Sequence, residues 1–290
     1  MTQDRQPMTG KTVLITGATS GIGKATALRL AAMGADLAIT GRDSRRTEAA
    51  ADEISAAGAG GTVLPFVADL SAQSEVRRLA ADVLQQLPRI DVLLNNAGGC
   101  WNTRRITADG LEHTFAVNHL APFLLTRLLL SRLMSSGQAR VITVASNAQA
   151  LGRIDFQDLQ GARAYSGARA YNQSKLANVL FTHELARRLA GTTVTANSLH
   201  PGVVDTSFGA EDPGRLQRLI LPVLRPWMAT PAQGAATSVH LASAPDLERV
   251  TGRYFRGLRP TRSSRRSHDQ AAAARLWQVS ADLVGLTTTA

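Results

Sequence analysis

The chain contains a single cysteine, Cys100, which excludes an internal disulfide and a cysteine-based zinc site and makes a reducing, cytoplasmic setting the expected one. Long apolar runs are also missing. No stretch reaches the ~20 clean apolar residues that span a bilayer, and the opening MTQDRQPMTG lacks the apolar centre of a secretory signal, so no integral membrane segment is expected. Aromatic residues are scarce at 4%. Lysine is scarcer: of 32 basic residues only Lys11, Lys24 and Lys175 are lysines, so Arg meets almost every other need for positive charge.

Acidic residues fall short as well, 22 against 32, leaving a formal charge of +10. Such an excess suits nucleic acid, an anionic membrane surface or phosphorylated small molecules. The Arg residues are spread along the chain with one cluster at Arg253, Arg256, Arg259, Arg262, Arg265 and Arg266, and no run of aromatics stands ready to stack bases. A phosphorylated small molecule is therefore expected rather than nucleic acid; steeply salt-dependent DNA affinity would overturn this.

What is present is an alternation. Ala, Leu, Val and Gly dominate, and 44% apolar content over 290 residues is enough for a substantial core. Short β-branched runs at Thr12–Ala18, Ala35–Thr40, Thr62–Ala68, Asp91–Asn95, Arg140–Ala145 and Thr193–Leu199 read as strands. Helical patterns lie between them at Ile22–Met33, Arg45–Ala57, Ser74–Leu87, Gly110–Met134 and Arg169–Ala190, and Gly252–Phe255 could add an edge strand. This alternation predicts an α/β fold: a single-domain, doubly wound parallel sheet of Rossmann type with helices on both faces. Residues 1–10 read as a flexible tail and 11–290 as a single domain.

The turn after the first strand, TGATSGIG, carries Gly17, Gly21 and Gly23. Glycines there permit a tight turn and close backbone approach, and the helix that follows offers free N–H groups to a pyrophosphate. Dinucleotide binding is the expectation, although the spacing departs from G-x-G-x-x-G. Arg42, just past the second strand, stands where a residue reading the extra phosphate of NADP belongs, with Arg45 and Arg46 behind it. NADP is predicted; Asp43 leaves NAD open, because a one-residue shift in the strand end would exchange the roles. Asp69, after the third strand, suits either an adenine contact or the cap of the next helix.

Tyr171 and Lys175 lie four residues apart in AYNQSKLANV, on one face of a helix. A phenol normally releases its proton near pH ~10, so acid–base work near neutrality calls for a nearby cation. A compact ammonium can reach both a phenol and sugar hydroxyls, which a planar guanidinium would not. Tyr165 is a decoy in the same run, because Arg169 stands four residues beyond it.

With the Gly-rich turn, Asn95-Asn96-Ala97-Gly98, Asn118, Ser146, Tyr171, Lys175 and Pro201-Gly202 in this order, the chain resembles the short-chain dehydrogenase/reductase family over nearly its whole length. VNHLAPFLLT, SLHPGVVDT and the late TGRYF resemble its retinol-dehydrogenase-like branch. The resemblance implies an oxidoreductase interconverting a carbonyl and an alcohol on a largely apolar small molecule. Tyr171 would be the general acid/base, its pKa lowered by Lys175, which would also hold the nicotinamide ribose. Ser146 would bond the substrate oxygen. Asn118 would organise a water linked to Lys175, helped by Pro122, which could free a helix carbonyl. The cofactor would lie along Gly17, Thr19, Ser20, Gly21, Ile22, Gly23, Arg42, Asp69, Leu70, Asn96, Ala97 and Gly98, with Asn95 beside its ribose and Pro201, Gly202, Val204 and Thr206 facing the nicotinamide. Residues 11–290 would form one dinucleotide-binding catalytic domain, in which the Leu-, Pro- and Trp-rich Leu216–Met228 resembles the family's variable substrate lid, near 207–230. The loop Gln149–Gly167 would border the substrate, and a homo-oligomer would form through the helices carrying Asn118 and Tyr171. The histidines at 113, 119, 183, 200, 240 and 268 show no metal spacing, and Cys100 reads as a small hydrophobe. A silent NADP-binding sensor or scaffold of the same fold is the alternative; the complete set of reactive residues speaks against it.

Overall fold

The computed structural model describes residues 6–204, 212 and 228–286. β1 (Thr12–Ile15) is buried along its whole length, as a strand covered on both faces must be. β2 (Asp36–Gly41), β3 (Val63–Val67), β4 (Val92–Asn95), β5 (Arg140–Val144), β6 (Thr195–His200), β7 (Arg253–Arg256) and β8 (Arg259–Thr261) complete one sheet in the order β3-β2-β1-β4-β5-β6-β7-β8. All pairings are parallel except β7–β8, an antiparallel hairpin at the edge. The strand order reverses between β1 and β4, where the fold opens a crevice at the carboxyl ends of the strands.

Among the described residues the helices are α1 (Gly21–Ala32), α2 (Ser44–Ala56), α3 (Gln73–Gln86), α4 (His113–Phe115), α5 (Ala121–Ser135), α6 (Gly167–Arg188), α7 (Pro231–Ser243) and α8 (Gln270–Leu283). Strand alternation divides the apolar residues between two cores. Val13, Ile15, Leu94 and Ile142 face one side, with residues of α1, α2 and α7; Leu14, Leu93 and Val141 face the other, with residues of α3, α5, α6 and α8. Both faces are thus covered.

Four expectations need correction. The tail begins its fold before residue 11: Met8 is buried in the α1-side core, and its N–H donates to the Met33 carbonyl. Gly110–Met134 is not one helix. The Glu112 carboxylate accepts the N–H groups of Thr114 and Phe115 and so starts α4 at His113, after which Ala116–Leu120 forms a π-helical turn leading into α5. Pro122, near the start of α5, has no N–H, so the Asn118 carbonyl four residues back has no α-helical donor. The widened turn is the backbone's answer. At the other end of the sheet the edge belongs to β8, a short exposed strand containing Pro260 and no apolar alternation to announce it. Finally, α7 and α8 add two helices beyond those the periodicity predicts. Among the described residues no helix is long and apolar enough to cross a membrane.

Candidate active site

Four segments converge at the carboxyl ends of β1, β4, β5 and β6. The turn after β1 needs its glycines for two reasons. Gly17 has φ +67°, and a Cβ on it would meet the Ala97 Cα at 2.9 Å; a Cβ on Gly23 would lie 2.3 Å from the Gly17 carbonyl oxygen. α1 opens after Ser20, which makes no side-chain cap, and its first turn holds no acid. Backbone N–H groups and a positive helix end are therefore available to an anion. Asn96 ties this turn to β4: its Nδ2 donates to the carbonyls of Thr16 (2.9 Å) and Gly17 (3.0 Å), while Thr16 Oγ1 accepts from the backbone N–H groups of Asn96 and Ala97. Residues Thr19, Gly21 and Ile22 belong to the same strand-to-helix turn, and Ile22 and Val204 both approach Gly234 of α7.

Arg42 is the first residue beyond β2, which runs one residue further than its sequence pattern predicts. Asp43 follows it, and its carboxylate accepts the Arg46 N–H and caps α2. Asp69 accepts the Ser71 N–H and holds the turn before α3, whereas Leu70 packs against the larger core. Asn95 is misplaced by the sequence reading. It is buried, donates to Thr126 Oγ1 of α5 at 3.1 Å, and faces the core opposite α1, so it does not line a ribose. Strand alternation sends Asn95 and its neighbour Leu94, which packs in the α1-side core, to opposite faces.

Asn118, in the π-turn, is fully enclosed. Its Oδ1 accepts the Gly99 N–H (2.8 Å), and its Nδ2 donates to the Gly99 carbonyl (2.9 Å) and Ser174 Oγ (3.0 Å). Both ends of its amide thus engage the protein and clamp the segment after β4. A Cβ placed on Gly98 would lie 2.9 Å from Asn118 Oδ1 and 3.6 Å from Lys175 Nζ, so three of the expected residues meet within one contact shell. Lys175 is buried on α6, donates to the Val144 carbonyl of β5 at 3.1 Å, and has its Nζ 5.6 Å from the Tyr171 ring centre. A hydrogen bond joins the side chains of Ser146 and Tyr171, and Ser146 Oγ also accepts the Ala148 N–H, capping the 3-10 turn Asn147–Leu151.

The electrostatics correct a further expectation. Burial pushes the Tyr171 phenol up to about 12, against the opposing hydrogen bond from Ser146, instead of lowering it. The same burial brings Lys175 down to about 8, so the ammonium expected to acidify the tyrosine is itself destabilised. Tyr165 proves structural: its Oη lies 3.0 Å from the Trp101 carbonyl and 3.0 Å from Glu112 Oε1, bracing the start of α4.

Sequence reasoning overlooks several residues that shape this site. Ser174 supports Asn118 from α6, three residues after Tyr171, whose carbonyl its hydroxyl bonds. Tyr254 on β7 donates to Asn147 Oδ1, and the Asn147 N–H donates to His200 Nδ1, bracketing the residue after Ser146. TGRYF stands out as a motif, but nothing local says where its tyrosine points. The loop Gln149–Gly167 packs by Gly152 on Asn172 and Leu176 of α6. Pro201, Gly202 and Val204 follow β6, and Val204 forms a parallel bridge with Ala229. Thr206 and most of the lid near 207–230 lie outside the described residues.

Comparison with known proteins agrees with this geometry. The short chain dehydrogenase family model matches residues 11–215. Retinol dehydrogenase 14 of Mus musculus is 44% identical over 291 residues, covering 96% of this chain and 87% of that protein. Retinol dehydrogenase 12 of Homo sapiens is 44% identical over 277 residues, with coverage of 96% and 87%. Among solved structures, an uncharacterised protein from Mycobacterium paratuberculosis superposes with a TM-score of 0.79 at 36% identity, covering 99% of this chain and 98% of that one. A blue fluorescent protein from a metagenomic library, solved in complex with NADPH, gives 0.67 at 30% identity over 86% and 97%. The chain belongs to the short-chain dehydrogenase/reductase family and is an NAD(P)-dependent oxidoreductase acting on alcohol or carbonyl groups.

Proposed function

We propose that this chain is an NADP-dependent oxidoreductase that interconverts a carbonyl and an alcohol on a largely apolar small molecule, with a retinoid-like polyene as the first class to test. One observation carries the reading: Ser146, Tyr171 and Lys175 stand together at the carboxyl ends of the strands, beside a clamped Asn118. The names of the relatives support the substrate class. The cysteine-poor composition fits a reducing compartment.

The residues present fit a dinucleotide. The uncapped start of α1 and the Gly17–Gly23 turn would take the pyrophosphate, and Arg42 the adenosine-side phosphate, while Asp43 is held as a cap. Lys175 and the Asn96–Gly98 segment would hold the nicotinamide half. When bound, the cofactor supplies or accepts the hydride. Tyr171 holds its proton across the neutral range, so its hydroxyl donates to a carbonyl oxygen as negative charge develops there. Ser146, already bonded to Tyr171, steadies the same oxygen. Lys175, when charged, favours the tyrosinate that remains.

The test is NADPH consumption against a panel of aldehydes and ketones, retinoids included, with NADH as the control. Tyr171→Phe is expected to fold, bind NADPH and lose roughly 10²- to 10⁴-fold in kcat. Full turnover in that variant would overturn the reading. Tight NADPH binding without turnover of any substrate would favour the sensor reading instead.

A further inference from the structure

Five large apolar residues stand well exposed among the described residues: Ile106 (48%), Met134 (46%), Leu151 (77%), Val203 (69%) and Leu258 (56%). Single exposed apolar residues need no explanation, but their distribution here is not scattered. Ile106 lies in the segment leaving the carboxyl end of β4, Leu151 in that leaving β5, Val203 in that leaving β6 and Leu258 in that leaving β7. β4 to β7 are parallel neighbours, so these four segments emerge along one rim of the sheet, the rim that bears Ser146 and Tyr171. Met134, at the far end of α5, is the exception.

The same rim carries uncompensated positive charge. From Val250 to His268 the chain holds six Arg residues and no acid. Leu258 sits at the tip of the β7–β8 hairpin between Arg256 and Arg259, all three exposed, and Arg262 follows. Among the described residues no carboxylate pairs with Arg256, Arg259 or Arg262. Arg259 and Pro260 on an edge strand would discourage strand-to-strand aggregation. That purpose does not account for Leu258 at the tip, nor for Leu151 on a different loop.

We propose that this rim docks on an anionic phospholipid surface, with Leu151 and Leu258 entering the headgroup boundary and Arg256, Arg259 and Arg262 pairing with lipid phosphates and carboxylates. Apolar side chains flanked by basic ones are the composition that such a boundary retains. The docking stands on the surface alone; that it would present the mouth of the site to an apolar substrate dissolved in the bilayer rests on the function proposed above.

The test is co-sedimentation of the full chain with phosphatidylcholine vesicles with and without phosphatidylserine, at low and high salt. Binding is expected only where phosphatidylserine is present, and weaker in high salt. The triple variant Arg256→Gln/Arg259→Gln/Arg262→Gln should bind on the order of a hundredfold more weakly. Leu151→Ser/Leu258→Ser should lose about tenfold at unchanged charge. Thermal unfolding, unchanged in both variants, and turnover of a short water-soluble aldehyde, unchanged in the arginine variant, separate lost docking from lost fold or chemistry. Absence of binding to either vesicle overturns the proposal. So does binding that survives the leucine substitutions in full, which marks the chain as a general polycation.

Discussion

Lys175 is the residue on which the pH behaviour turns. Burial lowers it to about 8, while Tyr171 beside it, at about 12, stays protonated over the working range. On the mechanism proposed above, the charged lysine below about 8 would support the developing tyrosinate, and that support would be lost as the ammonium deprotonates. Carbonyl reduction is therefore expected to fall as pH rises through about 8, and a pH–rate profile that stays flat to about pH 10 would contradict this. Lys175→Arg should not restore the wild-type profile, because the guanidinium remains charged and cannot occupy the compact place against the Val144 carbonyl. A second residue-scale prediction concerns Arg42. Replacing it with Ala should reduce the preference for NADPH over NADH by roughly 10- to 100-fold in kcat/KM, since a charge-assisted phosphate contact contributes about 1.5–3 kcal/mol. An unchanged preference would remove Arg42 from the site. Of these residues, the Tyr–Lys pair is legible in the sequence because a spacing of four on a helix is local geometry. The direction of the Tyr171 shift is not, because burial is made by distant segments.

At the scale of elements, the π-turn Ala116–Leu120 has two duties side by side. Asn118 clamps Gly99, and His119 is buried between α6 and α8, its Nε2 2.9 Å from Ser280 Oγ and its Nδ1 3.4 Å from Asn178 Oδ1. Burial lowers the His119 imidazole from 6.5 to about 4, so the folded protein keeps it neutral where the unfolded chain would protonate it. Stability is undiminished by this group above pH 6.5 and is lost as pH falls toward 4, by at most about 3 kcal/mol for a shift of this size. Acid unfolding monitored by circular dichroism should show the decline, and His119→Asn should flatten it. The Gly-rich turn offers a sharper element-scale test. Gly23→Ala puts a methyl 2.3 Å from the Gly17 carbonyl and should weaken NADPH binding by roughly tenfold or more through displacement of the turn. The turn itself is readable from its glycines. The π-turn is not, because Pro122 announces a lost hydrogen bond without saying how the backbone re-forms around it.

For the whole molecule, α8 decides which surface is left to other chains. Trp277 stacks on Phe181 of α6 with ring centres 5.9 Å apart and meets Phe123 of α5 edge-on at 5.0 Å, while Arg127 and Arg188 lie over its indole. The chain's own segment thus lies on α6 and reaches α5 through Trp277, on the helices through which association was expected. Sedimentation velocity should find the intact chain monomeric at micromolar concentration, and removal of residues 270–290 should expose Phe123 and Phe181 and drive association or aggregation. A stable dimer of the intact chain would mean that another surface carries it. The alternation of strand and helix, the Gly-rich turn after β1 and the Tyr171–Lys175 face are each written in the spacing of a few neighbouring residues and could be read before any fold was known. Packing set the rest: Asn95 faces the core while Asn96 and Asn118 staple the site, burial raises the Tyr171 phenol, α8 lies on α6 and reaches α5 through Trp277, and four exposed apolar residues share one rim. Those outcomes depend on burial and direction, which arise where segments far apart in the chain are packed together.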